Sequence, residues 1–178
     1  MDRRYKVPFA KVYRKGTIVK EIFYKQSVFG VYVDIFPLDG IKERNQAKWC
    51  GLGIKFMYIK TFIFCKQQSF ARKLRIALSK LVLLPFSSHF ILDRIRRIST
   101  RYRYEECENV CSFGSRSAAR EILPRETFEE YIQLTFEGKQ YRAPKGYDRY
   151  LKQKYGEYMT LPPEGKRVST HDSQAFYI

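Results

Sequence analysis

Acidic residues are scarce in this chain of 178 residues. Its 18 Asp and Glu stand against 34 Lys and Arg, which gives a formal net charge of +16. Most of the excess lies between Lys42 and Tyr104, where 15 basic residues accompany two acids, Glu43 and Asp93. This imbalance favours a polyanion or an anionic membrane surface as a partner, and a plain solvated basic surface is the other interpretation.

Cysteines are also few. Cys50, Cys65, Cys107 and Cys111 do not make a disulfide framework for a chain of this size, and no second ligand pair with zinc-finger spacing follows the last two. The first residues, "MDRRYKVPFAK", lack the apolar segment of a signal peptide. We therefore expect a reducing, cytoplasmic location.

Long apolar runs are missing too. A membrane span needs roughly 18 uninterrupted apolar residues. The two most apolar stretches fall short, since Lys55 and Lys60 interrupt residues 52–65 and Pro85 interrupts residues 81–92. Both stretches fit helices that lie on a membrane surface, and both also fit ordinary core helices.

The residues that are present predict one folded α+β domain. A hydrophobic content of 44% with 16% aromatic residues is typical of a chain with a core. We expect a sheet portion over residues 1–41, a basic helical region over 42–106 that packs on the sheet as a lid or an insertion, and a mixed α/β portion over 107–178 that ends in a loop. No internal repeat is present.

Local patterns predict the individual elements. Lys15-Gly16 is a turn between two β-prone runs, and "VFGVYVDIF" is the strongest strand. Apolar residues repeat every three or four positions in three predicted helices, with Ser69 as the cap of the second. These residues are Trp49, Leu52, Phe56, Ile59 and Ile63; Phe70, Leu74, Ala77 and Leu81; and Ile91, Ile95, Ile98 and Tyr102.

The last third of the chain predicts shorter elements. Pro124 opens a short helix through Tyr131, and "LTFEGKQYRA" reads as a hairpin with its bend at 137–139. A final helix in "GYDRYLKQKYG" ends at Gly156. The remaining residues, 161–178, are predicted to be a polar tail.

Two aspartates in "GVYVDIFPLDG" are the first candidates for chemistry. In the predicted strand Tyr32, Asp34 and Phe36 share one side, and a carboxylate there is costly to bury unless it is paired, solvated or bound to a cation. We interpret Asp34 as a residue that binds a metal ion or a proton. Asp39 precedes Gly40 in a segment with good turn chemistry, which needs no further purpose.

The loop "LPPEGKRVSTHD" is the second candidate. Its prolines stiffen it, and Lys166, Arg167 and His171 follow within a few residues. Two cations and an imidazole on a rigid loop suit phosphate. A charged tail with no ligand is the alternative.

Four stretches resemble the LicD family of phosphorylcholine transferases: "VPFAKV", "GVYVDIFPLDGI", "FEGKQYRAPKGYDRYLKQKYGEYM" and "LPPEGKRVSTHD". The resemblance extends from about residue 7 to residue 172. It implies a nucleotidyltransferase-like mixed sheet with a helical insertion and a C-terminal hairpin and helix. It also implies transfer of phosphocholine, or a related phosphoalcohol, from a CDP-linked donor such as CDP-choline to teichoic acid, lipopolysaccharide or capsule precursors.

The resemblance also implies roles for particular residues. Asp34 would complete a Mg²⁺ site or accept the acceptor's proton, with Asp39 as a weaker metal ligand. Donor phosphates would be bound by Lys11, Lys166, Arg167 and His171, while Tyr155 and Gly156 would shape the pocket. The basic helical region would contact an anionic glycan or the inner face of the membrane.

One departure from the family pattern stands out. The family carries a glycine-rich turn and a cluster of aspartates upstream of the "FAK" stretch, and here only "MDRRYK" precedes it, with Asp2 as its one acid. We therefore expect the N-terminal strands of the sheet to be missing, apolar edges to be exposed, and this chain alone to have little or no transferase activity.

Two rival functions stay open. The first is a non-catalytic remnant or scaffold that binds donor or acceptor, which calorimetry with CDP-choline tests. The second, which is less favoured, is a basic nucleic-acid-binding protein, because no recognised reading helix or aromatic RNA-binding motif organises the cations. Sub-micromolar binding of oligonucleotides at physiological salt would support it.

Overall fold

A computed structural model of the chain describes residues 8–21, 30–61, 69–167 and 173–177. These residues form four α-helices and nine short strands. The helices are α1 (Arg44–Thr61), α2 (Phe70–Val82), α3 (Ser88–Ser99) and α4 (Tyr147–Tyr155). The strands are β1 (Ala10–Tyr13), β2 (Thr17–Glu21), β3 (Tyr32–Ile35), β4 (Asp39–Ile41), β5 (Asn109–Cys111), β6 (Ile122–Pro124), β7 (Tyr131–Phe136), β8 (Lys139–Pro144) and β9 (Ser173–Tyr177).

The described strands pair in four small antiparallel sheets. Strand β1 pairs with β3, β2 pairs with β9, β4–β5–β6 form a three-stranded sheet, and β7–β8 form a hairpin. Within these residues the strands therefore do not make the one mixed sheet that we expected. The mixture of helices and strands agrees with an α+β chain, and the nucleotidyltransferase-like fold stays a prediction.

The helical region is confirmed in its three helices and in one cap. The Ser69 side chain accepts a hydrogen bond from the backbone N–H of Arg72, as its position before α2 predicts. Helix α3 buries Ile91 and Ile95, as expected, and ends at Ser99 before it reaches Tyr102. No helix among the described residues is both long enough and apolar enough to cross a bilayer.

The buried face of α1 differs from the predicted one. Trp49 is exposed and Ile63 lies outside the described residues, whereas Ala47, Cys50, Ile54 and Met57 are buried. Helix α1 carries apolar residues on several faces, so repeats of three and four can be traced on more than one of them. The face that packs combines small residues with Ile54 and Met57.

Glycine explains why that face packs so closely. A Cβ atom at Gly53 would lie 2.8 Å from Cγ1 of Ile95 in α3, and one at Gly51 would lie 2.8 Å from the backbone oxygen of Arg116. The missing side chains let α1 approach both neighbours. One buried cluster results, with members from α1, α3, β4, β5 and the segment that follows β5: Ile41, Ala47, Cys50, Ile54, Met57, Ile91, Ile95, Cys111, Phe113 and Ala118.

The last third is confirmed in its hairpin and its final helix. The bend between β7 and β8 has φ values of 49° at Glu137 and 74° at Gly138. Helix α4 ends at Gly156, whose φ of 73° is a conformation that favours glycine.

Three predictions about short elements are wrong. The helix after Pro124 is a short 3-10 turn, Arg125–Phe128, and Tyr131 belongs to β7. Residues 173–177 are not tail but strand β9, because β2 offers them an unpaired edge. Asp39 and Gly40 lie in β4 rather than in a turn, since β5 pairs with them.

Candidate functional site

An ion pair between β1 and β3 is the centre of the candidate site. The antiparallel register places Lys11 opposite Asp34, and Nζ of Lys11 lies 2.6 Å from Oδ1 of Asp34. The side chains are 11% and 30% exposed, respectively. A charge-assisted hydrogen bond at this depth satisfies a carboxylate that would otherwise be costly to hold in a strand.

Aromatic rings surround the Lys11 ammonium group. Its Nζ atom lies 3.4 Å from the ring centroid of Tyr32 and 5.4 Å from that of Phe9. The ring centroids of Phe9 and Phe36 are 4.4 Å apart. Cation–π attraction and packing therefore fix the ammonium beside Asp34, and an ammonium has three N–H donors, of which this pair uses one.

The two sides of β3 differ as the alternation predicts, but the apolar side is the exposed one. Tyr32 and Asp34 are partly covered, whereas Val31, Val33 and Ile35 are exposed. Val12, opposite Val33 in β1, is exposed as well. The polar, aromatic side of this strand pair is thus the side that the molecule covers.

Asp39 is in a different environment from Asp34. It belongs to the β4–β5–β6 sheet, where it pairs with Cys111, and burial raises the pKa of its carboxyl group. An environment that disfavours the charged carboxylate makes it a poorer ligand for a hard cation than the partly exposed, ion-paired Asp34. The two aspartates lie in separate sheets among the described strands.

The C-terminal loop is described in part. Arg167 is exposed, and its Nε donates a hydrogen bond to the backbone oxygen of Pro162 at 2.7 Å. The side chain of Lys166 and the whole of His171 lie outside the described residues. Beyond the loop, β9 runs beside β2, and the Arg14 guanidinium carbon lies 5.7 Å from the ring centroid of Tyr177. The chain after the loop therefore returns close to the end of β1.

The two residues assigned to the pocket wall lie at the end of α4. Tyr155 is exposed, and Nζ of Lys154 lies 5.6 Å from its ring centroid. A Cβ atom at Gly156 would meet no other atom within 4 Å. Nothing in the described residues places either of them against Lys11 or Asp34.

Sequence reasoning missed a cation-lined cavity at the start of α1. It has a volume of about 540 Å³, and its polar lining consists of Lys42, Arg44, Asn109, Arg120 and Gln153. No carboxylate is among its lining residues. The cations come from distant parts of the chain, so no local sequence motif predicts this cavity.

A buried ion pair was missed as well. Glu121 is 3% exposed, and its Oε2 atom lies 3.3 Å from Nζ of Lys154 and 3.5 Å from the hydroxyl group of Tyr150. Burial is the main reason that the pKa of Tyr150 is raised. This pair ties α4 to the segment before β6.

Two buried thiols lie close to Asp39. Burial, and then the charge of Asp39, raise the pKa of the Cys50 thiol to about 12. Burial also raises the pKa of Cys111, with Glu121, Cys50 and Asp39 adding to the effect. Among the described residues no group of three or more His, Cys, Asp and Glu could hold a metal ion. These cysteines are packing residues.

We expect Cys50 and Cys111 to resist alkylation in the native protein. With a pKa of about 12, only about one Cys50 thiol in 10⁴ is a thiolate at pH 8, and the thiolate is the reactive form. Iodoacetamide at pH 8, followed by peptide mass mapping, should leave both residues unmodified until denaturant is added. Rapid labelling of the folded protein would contradict their burial.

Comparison with known proteins gives one informative similarity. No family model matches the chain, and no solved structure matches it. The chain is 26% identical, over an alignment of 184 positions, to the lipopolysaccharide cholinephosphotransferase LicD of Haemophilus influenzae. The alignment covers 98% of this chain and 67% of that protein. This similarity over nearly the whole chain supports a LicD-like family for the protein.

Proposed function

We propose that the chain serves the transfer of phosphocholine, or a related phosphoalcohol, from a CDP-linked donor to a cell-surface glycan. The similarity to a lipopolysaccharide cholinephosphotransferase over 98% of the chain is the observation that carries this proposal. A lipopolysaccharide-type acceptor is the first choice for the same reason, with teichoic acid and capsule precursors as further candidates.

The Lys11–Asp34 pair would be the reactive part of the site. Lys11 would turn its remaining N–H donors to the donor's diphosphate, because phosphoryl transfer depends mainly on positioning and charge neutralisation. The donor phosphate would replace the Asp34 carboxylate as the group bound to Lys11. Asp34 would thereby be released from the ion pair. Lys11 and Asp34 are in direct contact at 2.6 Å. A donor phosphate bound by Lys11 would therefore change the ion pairing of the Asp34 carboxylate directly.

Asp34 would then act on the acceptor. Its carboxylate would accept the proton of the acceptor hydroxyl as that oxygen bonds to the choline-bearing phosphorus. The bond from this phosphorus to the bridging oxygen would break, CMP would leave with the electron pair, and a phosphodiester would remain. A general base of this kind contributes about 10²–10⁴-fold to a rate.

Magnesium fits this site in part. Asp34 offers one partly exposed carboxylate, and Mg²⁺ is usually held by one or two carboxylates together with substrate phosphates. Asp39 is the weaker candidate because burial raises its pKa. When bound, the ion would neutralise charge on the diphosphate.

Binding without transfer is the second candidate. Asp34 is already neutralised by Lys11, and the described residues supply no cluster of metal ligands. A protein that holds the donor for another catalytic chain would need no more than this. Calorimetric binding of CDP-choline without release of CMP would favour it.

We expect Lys11→Met to weaken CDP-choline binding about 10- to 100-fold, because a charge-assisted hydrogen bond to phosphate contributes about 1.5–3 kcal/mol. Isothermal titration calorimetry, with and without Mg²⁺, measures the change. Lys48→Met is the matched control, since Lys48 is an exposed lysine of α1. Unchanged affinity in a folded Lys11→Met variant would mean that Lys11 only neutralises Asp34.

A further inference from the structure

Helix α2 turns its apolar side outward. None of its residues is buried. Four large side chains that lie within one arc of the helix, Phe70, Leu74, Leu78 and Leu81, are all at least half exposed. The helix of a globular protein normally directs such an arc toward the core. Here the side chains that are partly covered lie outside this arc: Lys73, Ile76, Ser79 and Lys80.

The exposed apolar surface continues beyond the helix. Leu84, Phe86 and Phe90 are exposed in the turn after α2 and at the start of α3. Lys60 at the end of α1 fixes this turn, because its Nζ donates hydrogen bonds to the backbone oxygens of Leu83 at 2.8 Å and Phe86 at 2.6 Å. We refer to the exposed apolar residues of 70–90 as the α2 surface.

The α2 surface also borders an open apolar groove. Helix α1 contributes Phe56 and Ile59 to it, and α2 contributes Leu74, Leu78 and Val82. A surface of this kind on a soluble protein marks a site of contact.

The charge of the helical region indicates which class of partner fits the α2 surface. Between Arg44 and Leu92 the sequence has nine Lys and Arg and no Asp or Glu. Arg72 and Arg75 are exposed on α2 itself. A protein partner would have to present a complementary acidic patch to this surface. An exposed apolar arc on a helix that carries Lys and Arg but no acid is instead the pattern of a helix that lies in the interface of an anionic bilayer.

We propose that the α2 surface docks on an anionic membrane, with its leucines and phenylalanines at the boundary between headgroups and acyl chains. Arg75, three positions before Leu78 in α2, contacts lipid phosphates at the edge of this arc, as long basic side chains do when their stems lie on apolar surface. The proposal goes beyond the transferase function and does not depend on it, because neither Lys11 nor Asp34 belongs to the surface.

Vesicle co-sedimentation tests the proposal with the whole chain. Vesicles of phosphatidylcholine with phosphatidylglycerol should bind the protein at least tenfold more tightly than vesicles of phosphatidylcholine alone, and the affinity should fall as salt is raised. Replacing Leu74 and Leu78 by glutamine should weaken binding by about tenfold for each leucine. Met159→Gln is the control, since Met159 is exposed outside the surface.

Tryptophan fluorescence tests whether the α2 surface enters the apolar part of the bilayer. Trp49 is the one tryptophan of the chain, so a Trp49→Phe background is silent. In that background Leu78→Trp should shift its emission to the blue when anionic vesicles are added, and Leu161→Trp, at an exposed position of the C-terminal loop, should not.

Three outcomes would overturn the proposal, and a fourth concerns only the proposed function. Failure of the folded wild-type protein to bind anionic vesicles overturns it, and so does equal binding by the Leu74 and Leu78 variant. Self-association in the absence of lipid that the same variant abolishes would assign the surface to a second copy of the chain. Loss of donor binding with vesicle binding intact would sink the proposed function alone.

Discussion

Asp34→Asn is expected to lower phosphocholine transfer by about 10²–10⁴-fold, which is the contribution of a general base. Asparagine keeps the size of the side chain and an oxygen that can accept the hydrogen bond from Lys11, so the fold should persist. It cannot accept a proton, and it is a poor ligand for Mg²⁺. Release of CMP from CDP-choline in the presence of acceptor measures the change.

Asp93→Asn is the matched control for this experiment. Asp93 is a partly exposed aspartate of α3 that is also ion-paired, with its Oδ2 atom 2.8 Å from Nε of Arg97. Its loss removes the same charge from the chain and should leave transfer unchanged. Full turnover in a folded Asp34→Asn variant would remove Asp34 from the chemistry.

Phe113→Ala is expected to cost about 3–5 kcal/mol of unfolding free energy, the range for a buried phenylalanine. Phe113 is 2% exposed and belongs to the cluster that joins α1 to the β4–β5–β6 sheet. A native domain has about 5–15 kcal/mol in total, so this variant should unfold at much lower denaturant concentration or fail to fold.

Denaturant unfolding followed by circular dichroism measures this cost. Phe136→Ala is the control, because Phe136 is an exposed phenylalanine of the β7–β8 hairpin. It should lose less than about 1 kcal/mol, as is usual for surface substitutions. Equal losses for the two variants would mean that Phe113 does not occupy a packed core.

Local patterns predicted the elements that depend on neighbouring residues. The cap at Ser69, the hairpin bend at Glu137 and Gly138, and the helix end at Gly156 all follow from backbone preferences within a few positions. These features need no information about the rest of the fold.

Features that depend on contacts between distant parts of the chain could not be predicted from local sequence patterns. The register of β1 against β3 makes Lys11 the partner of Asp34, although 23 positions separate them. Pairing with β2 turns part of an apparent tail into β9. The buried face of α1 was misjudged because the repeat of large apolar residues does not register Gly51 and Gly53, which lie at the closest contacts of this face.

The proposed site combines a residue that the sequence identified with a contact that only the folded chain shows. Asp34 was identified from the cost of a carboxylate in a strand, and its ion pair with Lys11 is the form in which the chain meets that cost. The cavity lined by Lys42, Arg44 and Arg120 had no local signal, because its cations meet only in the folded chain.

The position of the diphosphate in a structure of this chain bound to CDP-choline and Mg²⁺ is the most direct test of the account. We predict that the diphosphate contacts the ammonium group of Lys11 and that Asp34 turns away from Lys11. A diphosphate in the cavity lined by Lys42, Arg44 and Arg120, with the Lys11–Asp34 pair unchanged, would contradict the assignment of the site.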